Sequence, residues 1–113
     1  MSKFIVLILV FSTVGCTTTT GLYSWGNYEN DLFIYYHKPE YKDDVVKDQL
    51  QFLSELEQKN KKPPPGLLAE AGTMLLLQGD TDKAIQYYEK EADTWPESEI
   101  LMRKIVSNLK TRK

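Results

Sequence analysis

Apolar residues recur at helical spacing through most of the chain, and proline or glycine ends each run. The residues from Tyr28 to His37 follow a possible cap at Asn27 and precede Pro39, which predicts a short first helix. A longer amphipathic helix is predicted from Tyr41 to Asn60, before the stiff Pro-Pro-Pro-Gly stop at 63–66. Its predicted buried positions are Val46, Leu50, Leu53 and Leu56, flanked by Val45 and Phe52.

Two helices and a turn are predicted between the proline stop and Pro96. Gly79 is suited to end the first helix, and Asp80 or Thr81 is suited to cap the second. Their predicted apolar stripes are Leu67, Leu68, Ala71, Leu75 and Leu76 on the first, and Ala84, Ile85, Tyr88 and Ala92 on the second. A last helix is predicted from about Glu97 to Lys110, with an apolar face of Ile100, Leu101, Ile105 and Leu109. The predicted fold class is therefore all-α.

The start of the chain has the proportions of a signal peptide. Lys3 precedes an uncharged stretch from Phe4 to Val14, which as a helix rises about 16 Å, roughly half the hydrocarbon thickness of a bilayer. This length favours a secretory signal over a transmembrane helix. The stretch ends in Ser-Thr-Val-Gly-Cys at 12–16, which resembles the lipobox of bacterial lipoproteins, although the usual Leu is Thr13.

The lipobox resemblance implies cleavage before Cys16 and lipid on its sulfur. An ordinary signal peptide with a free thiol, or an uncleaved anchor, are the alternatives. We expect a signal peptide at 1–15, a lipidated tether at 16–22 and a helical domain at 23–113. The residue after the cysteine is Thr17 and not Asp, a pattern that in lipoproteins of Gram-negative bacteria implies the outer membrane. Thr17 to Gly21 can hold the domain within roughly 20 Å of the bilayer.

An aromatic segment from Leu22 to Tyr28 follows the tether and has two interpretations. Tyr and Trp favour membrane interfaces, so the segment could lie on lipid headgroups. Alternatively, a stripe at helical spacing could form core, and the spacing favours this interpretation. The residues of that stripe are Trp25, Tyr28, Leu32, Phe33 and Tyr36.

The pattern between Gly66 and Ser98 resembles a tetratricopeptide repeat. The matching positions are Gly72, Gly79, Asp80, Ala84, Tyr88 and Pro96. The small residues would let two helices approach closely, and Tyr88 would fill the groove beside them. The characteristic Trp and Tyr of the first helix are replaced by Leu68 and Leu75. This resemblance implies helical hairpins in a right-handed stack, with the last helix as its cap.

A closer resemblance covers most of the chain after the cysteine. The segments LYSWGNYENDLFIYY, PPPGLLAEAG, LLQGDTDKAIQYYEKE and WPESEILM are similar to a family of small bacterial lipoproteins labelled domain of unknown function 4810. The genes of that family tend to lie beside genes for a curli-secretion-like lipoprotein and another small lipoprotein. The resemblance therefore implies a periplasm-facing component of an outer-membrane complex. It implies no established biochemical activity.

Composition narrows the remaining function classes. The net charge of −2 and a pI near 5.4 do not suggest nucleic acid as a partner. A single cysteine excludes an intramolecular disulfide, and a single histidine, His37, leaves metal ligands scarce. Asp43, Asp44 and Asp48 lie on a charged helix and are interpreted as solvated surface. We expect no catalysis, metal, cofactor or small-molecule substrate.

Two functions follow as hypotheses. The first is an assembly component of an envelope complex, which docks through apolar surface built from Tyr23, Trp25, Phe33 and Tyr35. The alternative is a periplasmic adaptor that binds peptides in a groove on the helical stack. Candidate groove residues are Tyr35, Asn60, Lys83, Gln86 and Tyr87. A contiguous apolar patch of several hundred Å² would favour docking, whereas scattered apolar residues would favour a groove.

Overall fold

In a computed structural model, residues 23–112 are described, and they contain α-helices and no strand. This confirms the all-α class. The helices are α1 (Tyr28–His37), α2 (Lys42–Gln58), α3 (Leu67–Leu77), α4 (Thr81–Thr94) and α5 (Glu99–Thr111), with 3₁₀ turns at Pro39–Tyr41 and Pro96–Ser98. The predicted signal peptide, Cys16 and the tether at 16–22 lie outside the described residues.

Helices α2 and α3 end in the same way, although only the Gly79 end of α3 was predicted. Asn60 and Gly79 both adopt left-handed backbone, at φ 52° and 87°. In α2, the Lys61 N–H donates to the Leu56 carbonyl at 2.8 Å and the Asn60 N–H donates to Glu57 at 3.0 Å. The equivalent pair of bonds closes α3 around Gly79. These are Schellman caps, which satisfy the last helical carbonyls and reverse the chain.

Because a β-branched side chain is strained at positive φ, Asn60→Val is expected to lower the free energy of unfolding by about 1–2 kcal/mol. Asn60→Gly is the matched control and is expected to be neutral or slightly stabilising, since glycine adopts this conformation freely. Urea denaturation followed by circular dichroism measures both variants. Equal stability of the two would show that the left-handed cap does not form in solution.

Helices α3 and α4 form a closely packed antiparallel hairpin. Asp80 precedes α4 and its side chain accepts a hydrogen bond from the Lys83 N–H, as the capping prediction requires. Gly72 lies where the two helices are closest: a Cβ there would meet the Ala84 carbonyl oxygen and the Tyr88 ring, each at 3.2 Å. The predicted role of Gly72 as a close-contact residue is therefore supported by its geometry.

The core joins all five helices through two connected clusters. The larger cluster includes Tyr35 of α1, Val45 of α2, Met74 of α3, Tyr88 of α4 and Met102 of α5. A smaller cluster packs Leu53 of α2 against α3 residues, with Tyr87 of α4 beside it. The main helix contacts run between neighbours in the chain, from α1 to α2 through to α4 to α5. Such sequential packing is typical of helical repeat proteins.

The predicted apolar face of α5 is wrong in part. Ile100 and Leu101 are exposed, at 86% and 60% of their surface, whereas Met102 and Val106 are buried. Ile105 and Leu109 do pack against the core, as predicted. The buried side chains lie at 102, 105, 106 and 109, which is itself a helical stripe. The helix is therefore rotated from the predicted face.

The predicted core stripe of α1 is also wrong in part. Trp25, Phe33 and Tyr36 are exposed, and Tyr28 and Leu32 are only partly buried. The buried aromatic residue is Tyr35, with Ile34 packed beside it. Aromatic residues surround much of this helix, so their spacing alone does not fix which side meets α2.

Candidate functional site

An open groove of about 890 Å³ lies between α2, the 59–66 linker and α4. Leu53 and Leu68 contribute apolar surface at its base, and both belong to the core. Polar and charged groups line the rest. They are Ser54, Glu57, Asn60, Lys61, Lys62, Lys90, Asp93 and Thr94. Pro63 and Tyr87 complete the lining. A surface with an apolar base and a polar rim can accept an extended polypeptide.

Tyr87 projects from α4 and is partly buried in this groove. Burial raises the pKa of its hydroxyl, and the nearby Glu57 carboxylate raises it further. The Lys90 ammonium lies 5.4 Å from the centre of the Tyr87 ring and 3.4 Å from Glu57 Oε2. The Glu57–Lys90 ion pair therefore joins α2 to α4 across the groove, beside the Tyr87 ring.

The linker contributes Lys61 and Lys62 to the opposite rim. The Lys62 ammonium lies over the Trp95 ring, 4.3 Å from its centre. Tyr23 packs edge-on against the same ring, with centroids 5.5 Å apart. The start of the described chain therefore meets the end of α4 beside the groove.

A buried carboxylate holds the chain turns at this end together. Glu91 is fully buried, and its Oε1 accepts hydrogen bonds from the Gly66 N–H at 2.8 Å and the Ser98 hydroxyl at 3.2 Å. Glu91 Oε2 and the Trp95 indole N–H are buried without a hydrogen-bond partner. Glu91 was not predicted as a key residue, although it lies seven positions after Ala84, on the buried stripe of α4.

Comparison with known families identifies one family model that matches this chain. The family model described as a domain of unknown function, DUF4810, matches residues 22–105. This chain belongs to the DUF4810 family. No curated protein and no solved structure matches it. The DUF4810 match covers all of α1 to α4 and the first half of α5, so the groove lies within the matched residues.

The predicted groove residues of this DUF4810 protein are only partly brought together. Asn60 and Tyr87 both line the groove, although Asn60 also serves as the α2 cap. Lys83 and Gln86 are exposed on α4 but do not line it. The prediction that Tyr35 lines the groove is wrong. Only 6% of its surface is exposed, because it packs into the core with Val45.

The four aromatic residues predicted as a docking patch do not form one surface. Tyr23 packs on Trp95, whereas Trp25 lies beside Tyr28, with ring centroids 5.3 Å apart. Phe33 stacks on His37 at the far end of α1, with centroids 4.3 Å apart, and Tyr35 is buried. The predicted contiguous patch is therefore wrong as a surface of the DUF4810 domain.

The predicted packing residues occur together in the α3–α4 hairpin and the turn after it. Gly72, Ala84 and Tyr88 meet at the close contact, and the Tyr88 hydroxyl lies 2.8 Å from Thr73 Oγ1. Gly79 closes α3, and Pro96 begins the 3₁₀ turn after α4. These residues determine how near the helices lie, and hence the position of Tyr87 in the groove.

Within residues 23–112, no group of three or more His, Cys, Asp or Glu side chains is placed to hold a metal ion.

Burial raises the pKa of the Asp31 carboxyl group, and the nearby Asp48 carboxylate raises it further. A 3.4 Å hydrogen bond from Gln49 lowers it. None of the helices in residues 23–112 has the length and apolar character needed to cross a membrane.

Proposed function

We propose that this protein is a lipid-anchored component of an outer-membrane envelope complex that binds another envelope protein through the groove between α2 and α4. Cys16 carries the lipid, and the tether holds the domain on the periplasmic side. The curli-secretion-like lipoprotein implied by the family resemblance is the proposed partner. The groove is the observation that supports this function most strongly.

The α3–α4 hairpin supports a tetratricopeptide-like stack as the scaffold for this groove. Its helices touch at Gly72, its turn uses Gly79 and Asp80, and each helix packs mainly on its neighbours in the chain. In such stacks, binding surfaces form between successive hairpins. The groove has a comparable position, because it lies between α2, which precedes the hairpin, and α4, which is the second helix of the hairpin.

The composition of the groove supports a polypeptide as its ligand. Leu53, Leu68 and Tyr87 offer apolar contact area, while Asn60 and Lys61 offer hydrogen-bond donors. The groove is open, so an extended segment or a partner helix can enter from the side. Its charged residues favour a ligand that carries both carboxylates and apolar side chains.

Cys16→Ser tests the anchor. We expect the variant to lose lipid and to leave the outer-membrane fraction, because the acyl chains supply the durable attachment. Fractionation and intact-mass measurement of wild type and variant give the result. A cleaved variant that still sediments with outer membranes would show that the lipid is not the anchor.

Ser54→Arg tests the groove, because Ser54 is exposed and lines it. The bulky charged side chain is expected to reduce co-purification of the curli-secretion-like lipoprotein about tenfold after mild detergent extraction, by blocking the groove. Gln51→Arg is the matched control: it is exposed on the same helix one turn earlier and does not line the groove. Equal recovery with both variants would exclude the groove as the binding site.

The exposed aromatic residues at the other end of the molecule favour a second candidate, permanent docking into a larger assembly. Phe33, Tyr36, Tyr41 and Leu77 are all exposed there. Tyr36→Ser distinguishes the candidates: it is expected to leave partner recovery unchanged if the groove binds the partner. A loss of the partner with Tyr36→Ser, but not with Ser54→Arg, would assign binding to this distal surface.

A further inference from the structure

The described chain begins at one particular end of the helical bundle. Tyr23 contacts Trp95, and Gly26 approaches the Phe52 ring in the second half of α2. The same end holds the linker after α2 and the Ser98 turn, which Glu91 joins. Residues 17–22 extend at most about 20 Å, so a lipid on Cys16 would hold this end near the membrane.

The linker at this end carries a cluster of exposed lysines: Lys59, Lys61 and Lys62. Nearby carboxylates are already paired, Glu57 with Lys90 at 3.4 Å and Asp93 with Arg103 at 2.8 Å. Glu97 is a further exposed carboxylate at this end. Lys59 and Lys61 are therefore available to interact with external anions, whereas the Lys62 ammonium already lies over the Trp95 ring. The cluster lies within the reach of the tether.

Exposed apolar side chains accompany these lysines. Ile100 and Leu101 follow the Ser98 turn directly, and both are largely exposed. Trp25 is also exposed, and it lies beside the middle of α2, near Phe52 and Glu55. Tryptophan and lysine side chains together are typical of surfaces that meet the headgroup region of a bilayer.

The opposite end of α2 carries a small excess of negative charge. Asp43, Asp44 and Asp48 lie in its first two turns together with Lys42 and Lys47, and the helix of 17 residues is about 25 Å long. A negatively charged surface would attract the lysine end and repel the opposite end. The charge distribution and the tether therefore favour the same orientation.

We infer that the end of the bundle bearing Tyr23, the 59–62 lysines and the Ser98 turn lies against a lipid surface with anionic phosphate headgroups. This inference rests on the proposed anchoring through Cys16. The lysines bind headgroup phosphates, and Trp25, Ile100 and Leu101 lie at the interface. The mouth of the groove then opens beside the membrane, which favours a partner that is itself membrane-attached.

Tryptophan quenching by brominated lipids tests this orientation. The protein is expressed from its whole gene, so that the cell can process it, and is then purified and placed in vesicles of phosphatidylcholine and phosphatidylglycerol. Trp25 and Trp95 are the two tryptophans of the chain, and Trp25 is the exposed one. Trp25→Phe combined with Tyr36→Trp moves the exposed reporter to the far end of α1, with Trp95 unchanged. We expect quenching of the wild type to be at least about twice that of this variant.

Charge variants test the lysines. Changing Lys59, Lys61 and Lys62 to Gln is expected to reduce quenching about threefold in phosphatidylglycerol vesicles, because three headgroup attractions are lost. The matched control changes Lys38, Lys47 and Lys83 to Gln; these are exposed and lie away from the linker. It removes the same charge and should leave quenching unchanged. Circular dichroism verifies the fold of every variant.

Equal quenching of the two tryptophan reporters, or stronger quenching at position 36, would overturn the inferred orientation. Equal effects of the two lysine triples would exclude specific headgroup contact. Mass spectrometry of the same sample reports the lipid on Cys16, so a failure of anchoring is recognised separately. If Cys16 is a free thiol, coupling it to a maleimide phospholipid restores the tether, and quenching then decides the orientation by itself.

Discussion

Gly72→Leu is expected to lower the free energy of unfolding by about 3 kcal/mol, as overpacking of a tight core contact does. In a domain of this size, such a loss lowers the melting temperature by roughly 12–24 °C. Even a Cβ atom at this position would lie 3.2 Å from the Ala84 carbonyl oxygen and from the Tyr88 ring. The carbonyl belongs to the α4 backbone, so relief requires the two helices to separate.

Thermal denaturation followed by circular dichroism measures this effect, and Lys104→Leu is the control. Lys104 is exposed on α5, so the same added side chain meets solvent and should change stability by less than about 0.5 kcal/mol. Gly72→Ala should fall between wild type and Gly72→Leu, because its single methyl requires only a small shift. An unchanged melting temperature for Gly72→Leu would show that α3 and α4 are not in close contact.

The second large effect is expected at Glu91. Glu91→Ala should lower the free energy of unfolding by about 3 kcal/mol, because it leaves a cavity and removes the acceptor of two hydrogen bonds. Those bonds come from the Gly66 N–H, in the turn before α3, and from the Ser98 hydroxyl, in the turn before α5. Their loss would loosen both turns beside the groove.

Two variants separate the hydrogen bonds from general effects on α4. Glu91→Gln keeps the side-chain volume and an acceptor oxygen, and should cost less than about 1 kcal/mol. Glu89 is on α4 like Glu91, but its carboxylate is partly exposed and pairs with Lys110 of α5 at 3.0 Å, so Glu89→Ala should also cost less than about 1 kcal/mol. Urea denaturation compares the three. If Glu91→Ala is as stable as Glu89→Ala, the buried hydrogen bonds do not hold the turns.

Local signals in the sequence were sufficient to place the helices. The first helix has the predicted bounds, Tyr28–His37, because Pro39 excludes its continuation. Asn27 is at the N-cap position, as predicted, but its side chain makes no capping hydrogen bond. The start of the helix was therefore predicted correctly, whereas the capping interaction was not. The close contact at Gly72 could also be predicted, since only small residues permit it.

The candidate site was less predictable because it depends on distant segments. Asn60 of the 59–66 linker and Tyr87 of α4 line the same groove, and no local pattern relates residues 27 positions apart. The role of Glu91 depends on turns that lie 25 and 7 residues away. The contact between Tyr23 and Trp95 likewise joins residues 72 positions apart in the chain.

The sequence by itself determined the all-helical class, the helix ends and the small residues of the α3–α4 contact. These depend on backbone chemistry and side-chain volume within a few neighbouring residues. Only the tertiary structure decided which faces of α1 and α5 are buried, because apolar residues occupy more than one face of each helix and the adjoining helix selects among them. The same packing buried Tyr35, exposed Ile100 and placed the lysine linker beside the groove.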